Sequence, residues 1–130
     1  YERYGENAAM FLDEKLIETL NVIREQILCA PMTVNNWHAG GNFTQRGLRC
    51  NICELVKSKT DAGSLYLSAH MLGKAVDCNV EGMTAEEARR LIIAKQELLP
   101  YPIRLEDGES WLHFDLYKNG KNEKVYLFKA

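Results

Sequence analysis

The feature that most constrains the fold is a turn near the end of the chain, where Asp107-Gly108 separates two β-compatible runs, residues 103–106 and 111–117. Asp-Gly accepts the backbone conformations of a tight hairpin whose twist matches its strands, so the spacing predicts an antiparallel pair. A further turn at Asn119-Gly120 leads into a strand over 125–128, and residues 65–69 and 75–80 read as two short strands around a turn at Gly73. Helical periodicity lies elsewhere. Over 8–28, Phe11, Leu12, Leu16, Leu20, Ile23 and Ile27 recur at helical spacing, with Asp13, Glu14, Lys15, Glu18 and Arg24 on the other face and Pro31 as the stop. Thr84-Ala85-Glu86-Glu87 forms a capping box that opens a second helix, running to about Leu98, with Ala88, Leu91, Ile92 and Leu98 as its buried side. Residues 32–37 are β-compatible, Gly40-Gly41 breaks that run, and 42–63 is polar and punctuated, as expected of a long irregular surface region. Helices and hairpins are segregated rather than alternating, which predicts an α+β fold with a small antiparallel sheet and flanking helices.

A chain of 130 residues suits one domain over 1–130, and 46% hydrophobic with 26% charged residues is the composition of an ordered globular core. Sixteen Lys and Arg against eighteen Asp and Glu leave a net charge of −2, so the concentrated basic face of a nucleic-acid binder is not expected. No apolar run approaches the roughly 20 residues of a membrane span, and no cationic start followed by an apolar stretch marks a signal peptide. Tyr1 stands first rather than Met, which leaves localisation open. Cys50 and Cys53 form a C-x-x-C that could serve a zinc knuckle or a redox pair, but a structural zinc site usually takes two such pairs. Cys29 and Cys78 are isolated, so the four thiols are expected to be buried or idle.

The residues with the most chemistry are histidines in acidic company. His70 precedes Asp77 by seven residues across Gly73, and His113 lies on a predicted strand with Glu109 and Asp115 on its face by the period-2 rule. A catalytic zinc site needs three ligands from His, Asp, Glu or Cys and a fourth position for water. His70, Asp77 and His113 would supply two neutral nitrogens and one anionic oxygen, and Glu106 or Glu109 could stand within reach as general base. A His and an Asp near a glycine turn also describe an ordinary surface loop, and spacing alone does not separate the two.

Ser68-x-His70-x-x-Gly73-x-Ala75-x-Asp77 resembles the zinc signature of the D-alanyl-D-alanine carboxypeptidase family of metallopeptidases, which includes D-alanyl-D-alanine dipeptidases and phage cell-wall endopeptidases of the endolysin type. Trp111-Leu112-His113 matches the family's second element, a Trp shortly before the last zinc histidine. Thr33-Val34-Asn35-Asn36-Trp37 and Gly47-Leu48-Arg49 resemble the strand and basic loop before the metal motif in the small carboxypeptidase branch. The resemblance implies a small α+β fold, also seen in the signalling domain of hedgehog proteins, with Zn2+ held by His70, Asp77 and His113. It implies an acidic general base before the last ligand. Ser110 occupies the place of the glutamate three residues before that histidine, which leaves Glu106 and Glu109, with Glu106 preferred. An upstream arginine that grips the substrate's terminal carboxylate falls on Arg49, with Arg46 second. Ser68 would orient the metal loop, Trp111 would line the pocket, and Asp115 would hydrogen-bond nearby rather than bind metal; His38 has no matching role.

The implied function is a zinc-dependent peptidase acting on peptidoglycan stem peptides, either a D-alanyl-D-alanine carboxypeptidase or an L-alanyl-D-glutamate endopeptidase. Its setting would be a bacterial periplasm or cell wall, or a phage product released at lysis, and a monomer is expected. The alternative is a catalytically silent cell-wall or protein-binding module that keeps the fold and the zinc, which the departure at Ser110 favours. A structural metal domain on Cys50 and Cys53 ranks below both.

Overall fold

The apolar spacing at the start of the chain builds helix, but in three geometries rather than one. The computed structural model describes residues 5–36, 39–43, 46–49, 53–64, 67–118 and 120–130. A 3-10 segment, Gly5–Phe11, precedes α1, Glu14–Val22, and a π-helical turn, Ile23–Leu28, follows it. The expected continuous helix over 8–28 is divided because the Asp13 side chain accepts a hydrogen bond from the Lys15 N–H at 2.9 Å and starts a fresh helix there. Its end also comes before Pro31, at Cys29, which takes the left-handed conformation with φ 51°. Leu16, Ile23 and Ile27 are buried as expected, and the Thr19 hydroxyl, also buried, donates to the Lys15 carbonyl at 2.7 Å.

Within the stretch expected to be irregular lies α2, Glu54–Asp61. Val56 is buried while residues 57–61 are exposed, so the helix carries too little apolar periodicity to announce itself. The capping box is formed as read: Thr84 Oγ accepts from the Glu87 N–H at 3.2 Å, and the Glu87 carboxylate accepts from the Thr84 N–H at 2.7 Å. It opens α3, Ala85–Ala94, which a 3-10 turn, Gln96–Leu98, continues. Ala88 and Ile92 are buried, but Leu91 and Leu98 are exposed and Leu99 fills the core instead, because the tighter turn shifts the helical phase.

The sheet has five strands: β1, Met32–Thr33; β2, Ala75–Val80; β3, Ile103–Glu106; β4, Leu112–Asp115; and β5, Val125–Phe128. Their spatial order is β1-β2-β4-β3-β5, antiparallel throughout except for β5, which runs parallel to β3. The fold is therefore α+β with a mostly antiparallel sheet. β3 and β4 pair around Asp107-Gly108, although the loop is five residues long rather than two. β4 stops at Asp115 short of 117, because the Asp115 carboxylate accepts the Tyr117 N–H at 2.9 Å and leads the chain out of the ladder. Residues 67–69 of the expected strand 65–69 form no strand; the chain there enters a turn closed by Met71 N–H to the Ser68 carbonyl and Lys74 N–H to the Ala69 carbonyl. β1 covers only the first two of residues 32–37, and Trp37, His38, Cys50 and Asn119 lie outside the described residues.

One face of the sheet makes the core. Val76, Cys78, Ile103, Leu105, Leu112 and Phe114 alternate inward and pack with Leu16, Ile23, Ile27, Ala88, Ile92 and Leu99. No helix among the described residues is long and apolar enough to cross a membrane.

Candidate metal centre

The residues that alternate with the core positions form two polar rows on the opposite face. Asp77 pairs with His113 across β2 and β4, and the β3–β4 register, continued one residue past Leu105 and Phe114, sets Glu106 beside His113. Glu106 in turn pairs with Phe128 on β5. The adjacent row reads Ala75, Asp115, Arg104 and Tyr126. Strand pairing thus brings residues far apart in the chain to one level of one face.

His70 joins this row from the turn before β2. Gly73 has φ 64°, and a Cβ there would collide with the Phe11 carbonyl oxygen, so no side chain fits. The Gly73 carbonyl accepts from the Asp13 N–H at 3.0 Å, and Lys74 pairs with Asp13 at 3.6 Å, which ties the turn to the start of α1. From the other side the Arg49 N–H donates to the His70 carbonyl at 3.3 Å.

His70, Asp77 and His113 are 8%, 5% and 7% exposed, and one ligand atom from each lies within 4.8 Å of the others. His70 Nε2 is 3.3 Å from Asp77 Oδ2, and His113 Nδ1 is 2.7 Å from Asp77 Oδ1. Tetrahedral bonds of about 2.1 Å place neighbouring donor atoms roughly 3.4 Å apart, so the three need only small adjustments to share one ion. Two nitrogens and one carboxylate oxygen suit zinc among other divalent metals and leave a coordination position toward the adjacent pocket. The group can therefore hold a metal ion.

The second nitrogen of His113 supports that use. Its Nε2 lies 3.3 Å from Asp115 Oδ2, and Asp115 accepts a two-pronged grip from Arg104, Nε at 2.8 Å and Nη2 at 2.7 Å. A proton held on Nε2 by Asp115 would leave the Nδ1 lone pair available to an ion. The Arg104 guanidinium is stacked 4.4 Å from the Phe128 ring centre and 5.0 Å from that of Tyr117.

The electrostatics agree. Burial pushes the Asp77 carboxyl up, but hydrogen bonds and charge from His113 and His70 outweigh it and hold the group well below the usual carboxylate range. Burial opposes charge on His113, yet Asp115 and Asp77 together raise it to about 9. The two shifts arise from carboxylates and imidazoles facing one another, Asp115 at His113 Nε2 and Asp77 at Nδ1, a donor set compatible with a divalent cation.

The flanking pocket, about 380 Å3, is lined by Arg49, Ser68, Glu106, Trp111, Tyr117 and Phe128 around the three candidate ligands. Glu106 is buried there with Oε2 3.8 Å from His113 Nδ1, and burial raises its carboxyl pKa, with His113 opposing and Glu109 and Asp77 adding to the shift. Glu109 is placed differently. It sits in the 107–111 loop rather than on the His113 strand face, and it lines a separate cleft with Arg89 and Ser110. Arg49 borders the pocket, whereas Arg46 does not, its guanidinium resting 3.7 Å from the Phe43 ring centre. The Ser68 hydroxyl is buried without a partner among the described residues, and it is the Ser68 carbonyl that bonds within the turn. Cys78 belongs to the core, where burial pushes its thiol up to about 12 and makes it inert. Arg104, Tyr117 and Phe128 were not among the expected site residues; alternation with Ile103 and Leu105 on the strand of Glu106 is the signal that marks Arg104. The chain matches no protein-family model, no curated protein and no solved structure.

Proposed function

We propose that the protein is a zinc-dependent peptidase that hydrolyses peptidoglycan stem peptides, of the D-alanyl-D-alanine carboxypeptidase type or a related cell-wall endopeptidase. The observation that carries the reading is the row of Asp77, His113 and Glu106 with His70 above it: three candidate ligands and a carboxylate with a raised pKa in one pocket. The S-x-H-x-x-G-x-A-x-D resemblance supplies the substrate class.

His70 Nε2, Asp77 and His113 Nδ1 would hold the ion. Bound there, zinc supplies Lewis-acid polarisation of the scissile carbonyl and acidifies water at neutral pH. Glu106 takes the proton of the attacking water and returns it to the leaving amine, a task suited to a buried carboxylate beside His113. Asp115, pinned by Arg104, keeps the His113 ring oriented. Arg49, at the pocket's rim, would pin the free carboxylate of a chain end, and an endopeptidase has less use for that grip.

Incubation with purified muropeptides, with and without chelator, and mass spectrometry of the products tests the reading. Loss of a single alanine supports a carboxypeptidase, and a split between L-alanine and D-glutamate supports an endopeptidase. No chelator-sensitive cleavage leaves the silent zinc module, which the serine at position 110 favours.

A further inference from the structure

We propose that Arg89 is a positioning residue, which from the helix-covered side of the sheet clamps the 107–111 loop so that Glu106 and Trp111 face the His70–Asp77–His113 pocket. Arg89 lies on α3 and is only 4% exposed. Its Nη1 donates to the carbonyls of Glu106 and Trp111, each at 3.3 Å, and its Nη2 donates to that of Glu109 at 2.9 Å. One guanidinium thus holds the first arm, the middle and the last arm of the connection between β3 and β4.

The loop needs such a clamp because the sheet does not supply one. A two-residue Asp-Gly turn would close on its own ladder bonds. Here five residues separate the strands, and the Asp107 N–H continues the β3–β5 ladder to the Phe128 carbonyl at 2.7 Å rather than bonding across the loop. The two arms of the loop are left to be joined by something else. A buried guanidinium is costly unless its N–H groups are satisfied, and the same helical position filled by leucine would add to the core without that cost. Arg89 is satisfied by the three carbonyls, with Glu86 Oε2 at 3.4 Å from its Nε. Holding the Glu106 carbonyl fixes the backbone from which the Glu106 carboxylate projects, and holding Trp111 fixes the residue two before His113. The five planar donors of arginine can reach several acceptors at once, which a lysine cannot.

The kinetic half of this inference rests on the peptidase reading, so the test pairs kinetics with a readout that does not. Arg89→Ala and Arg89→Lys are compared with wild type, and Arg90→Ala, an exposed neighbour, serves as control. Amide hydrogen exchange is followed by residue, alongside kcat, KM and zinc content. Exchange of the Asp107 amide, the loop N–H held by the Phe128 carbonyl, should quicken roughly tenfold or more in Arg89→Ala, as expected when the charge-assisted hydrogen bonds that hold the loop are lost, while the core strands hold. kcat should fall roughly tenfold to a hundredfold with KM and zinc content unchanged, and millimolar guanidinium should restore part of it. Arg89→Lys carries the test if Arg89→Ala does not fold, because one ammonium cannot serve both arms of the loop and exchange there must still rise. If wild type cleaves nothing but exchange through the loop follows Arg89, the peptidase reading fails and the clamp stands. A folded Arg89→Ala or Arg89→Lys protein whose loop exchanges like wild type overturns the clamp.

Discussion

Within four residues β4 displays two kinds of burial. Leu112 and Phe114 face the helices, His113 and Asp115 face the pocket, and all four are withdrawn from water. On the first side, apolar groups from α1, α3 and the neighbouring strands close over the pair, and removal from water is itself favourable. On the second side every group loses hydration and must be offset by a partner. Asp115 has its partners in Arg104, the Tyr117 amide and His113. Asp77 is paired with His113 Nδ1 and His70 Nε2, but His70 Nδ1 is buried with no hydrogen-bond partner among the described residues. Burial on the core face therefore explains itself, whereas burial on the other face gathers a polar group that could hold a metal ion.

Substitutions should separate the two faces. Phe114→Ala should cost about 3–5 kcal/mol of unfolding free energy, read from urea titration, because it opens a cavity in the packed face. Glu106→Gln should do the opposite: kcat should fall roughly 10²–10⁴-fold while zinc content and unfolding midpoint stay near wild type. Full activity in that variant would transfer the general-base role elsewhere. Asp115→Asn should weaken zinc affinity roughly 10–100-fold, read by competition with a chelating dye, because the ring of His113 loses its orienting carboxylate.

The smallest effect concerns pH. The His113 pKa is raised from its ordinary 6.5 to about 9, so the stabilisation it brings to the metal-free chain is complete below 6.5 and is lost as pH rises through 9. Urea unfolding of the chelated protein should show stability declining over that interval. Zinc should flatten the decline, since the ion takes the place of the proton. A decline unaltered by zinc would mean that the ion, if bound, does not use His113.

How far the sequence foretells this arrangement depends on how local each signal is. The capping box at Thr84 and the alternation of His113 with Leu112 and Phe114 are short-range patterns that stand where they were read, and the hairpin signalled by Asp107-Gly108 forms with a longer loop. Asp77 joins His113 through the register of two strands 36 residues apart, which spacing does not encode, and Glu106 joins His113 across a hairpin whose register depends on the length of its loop. Glu106 and Glu109 could not be ranked by periodicity because the loop is longer than its Asp-Gly turn suggests, and the extra residues carry Glu109 into another cleft. α2 was hidden because residues 57–61 are polar and exposed, and the reach of Arg89 from α3 to three loop carbonyls has no sequence signal.

The metal content of the purified chain, measured by elemental mass spectrometry after dialysis against trace zinc, tests the central claim most directly. One zinc per chain is expected in wild type and in a Cys50→Ser/Cys53→Ser variant, with none in a His70→Ala variant that keeps its circular dichroism. Zinc retained by folded His70→Ala, or lost with the two cysteines, would contradict it.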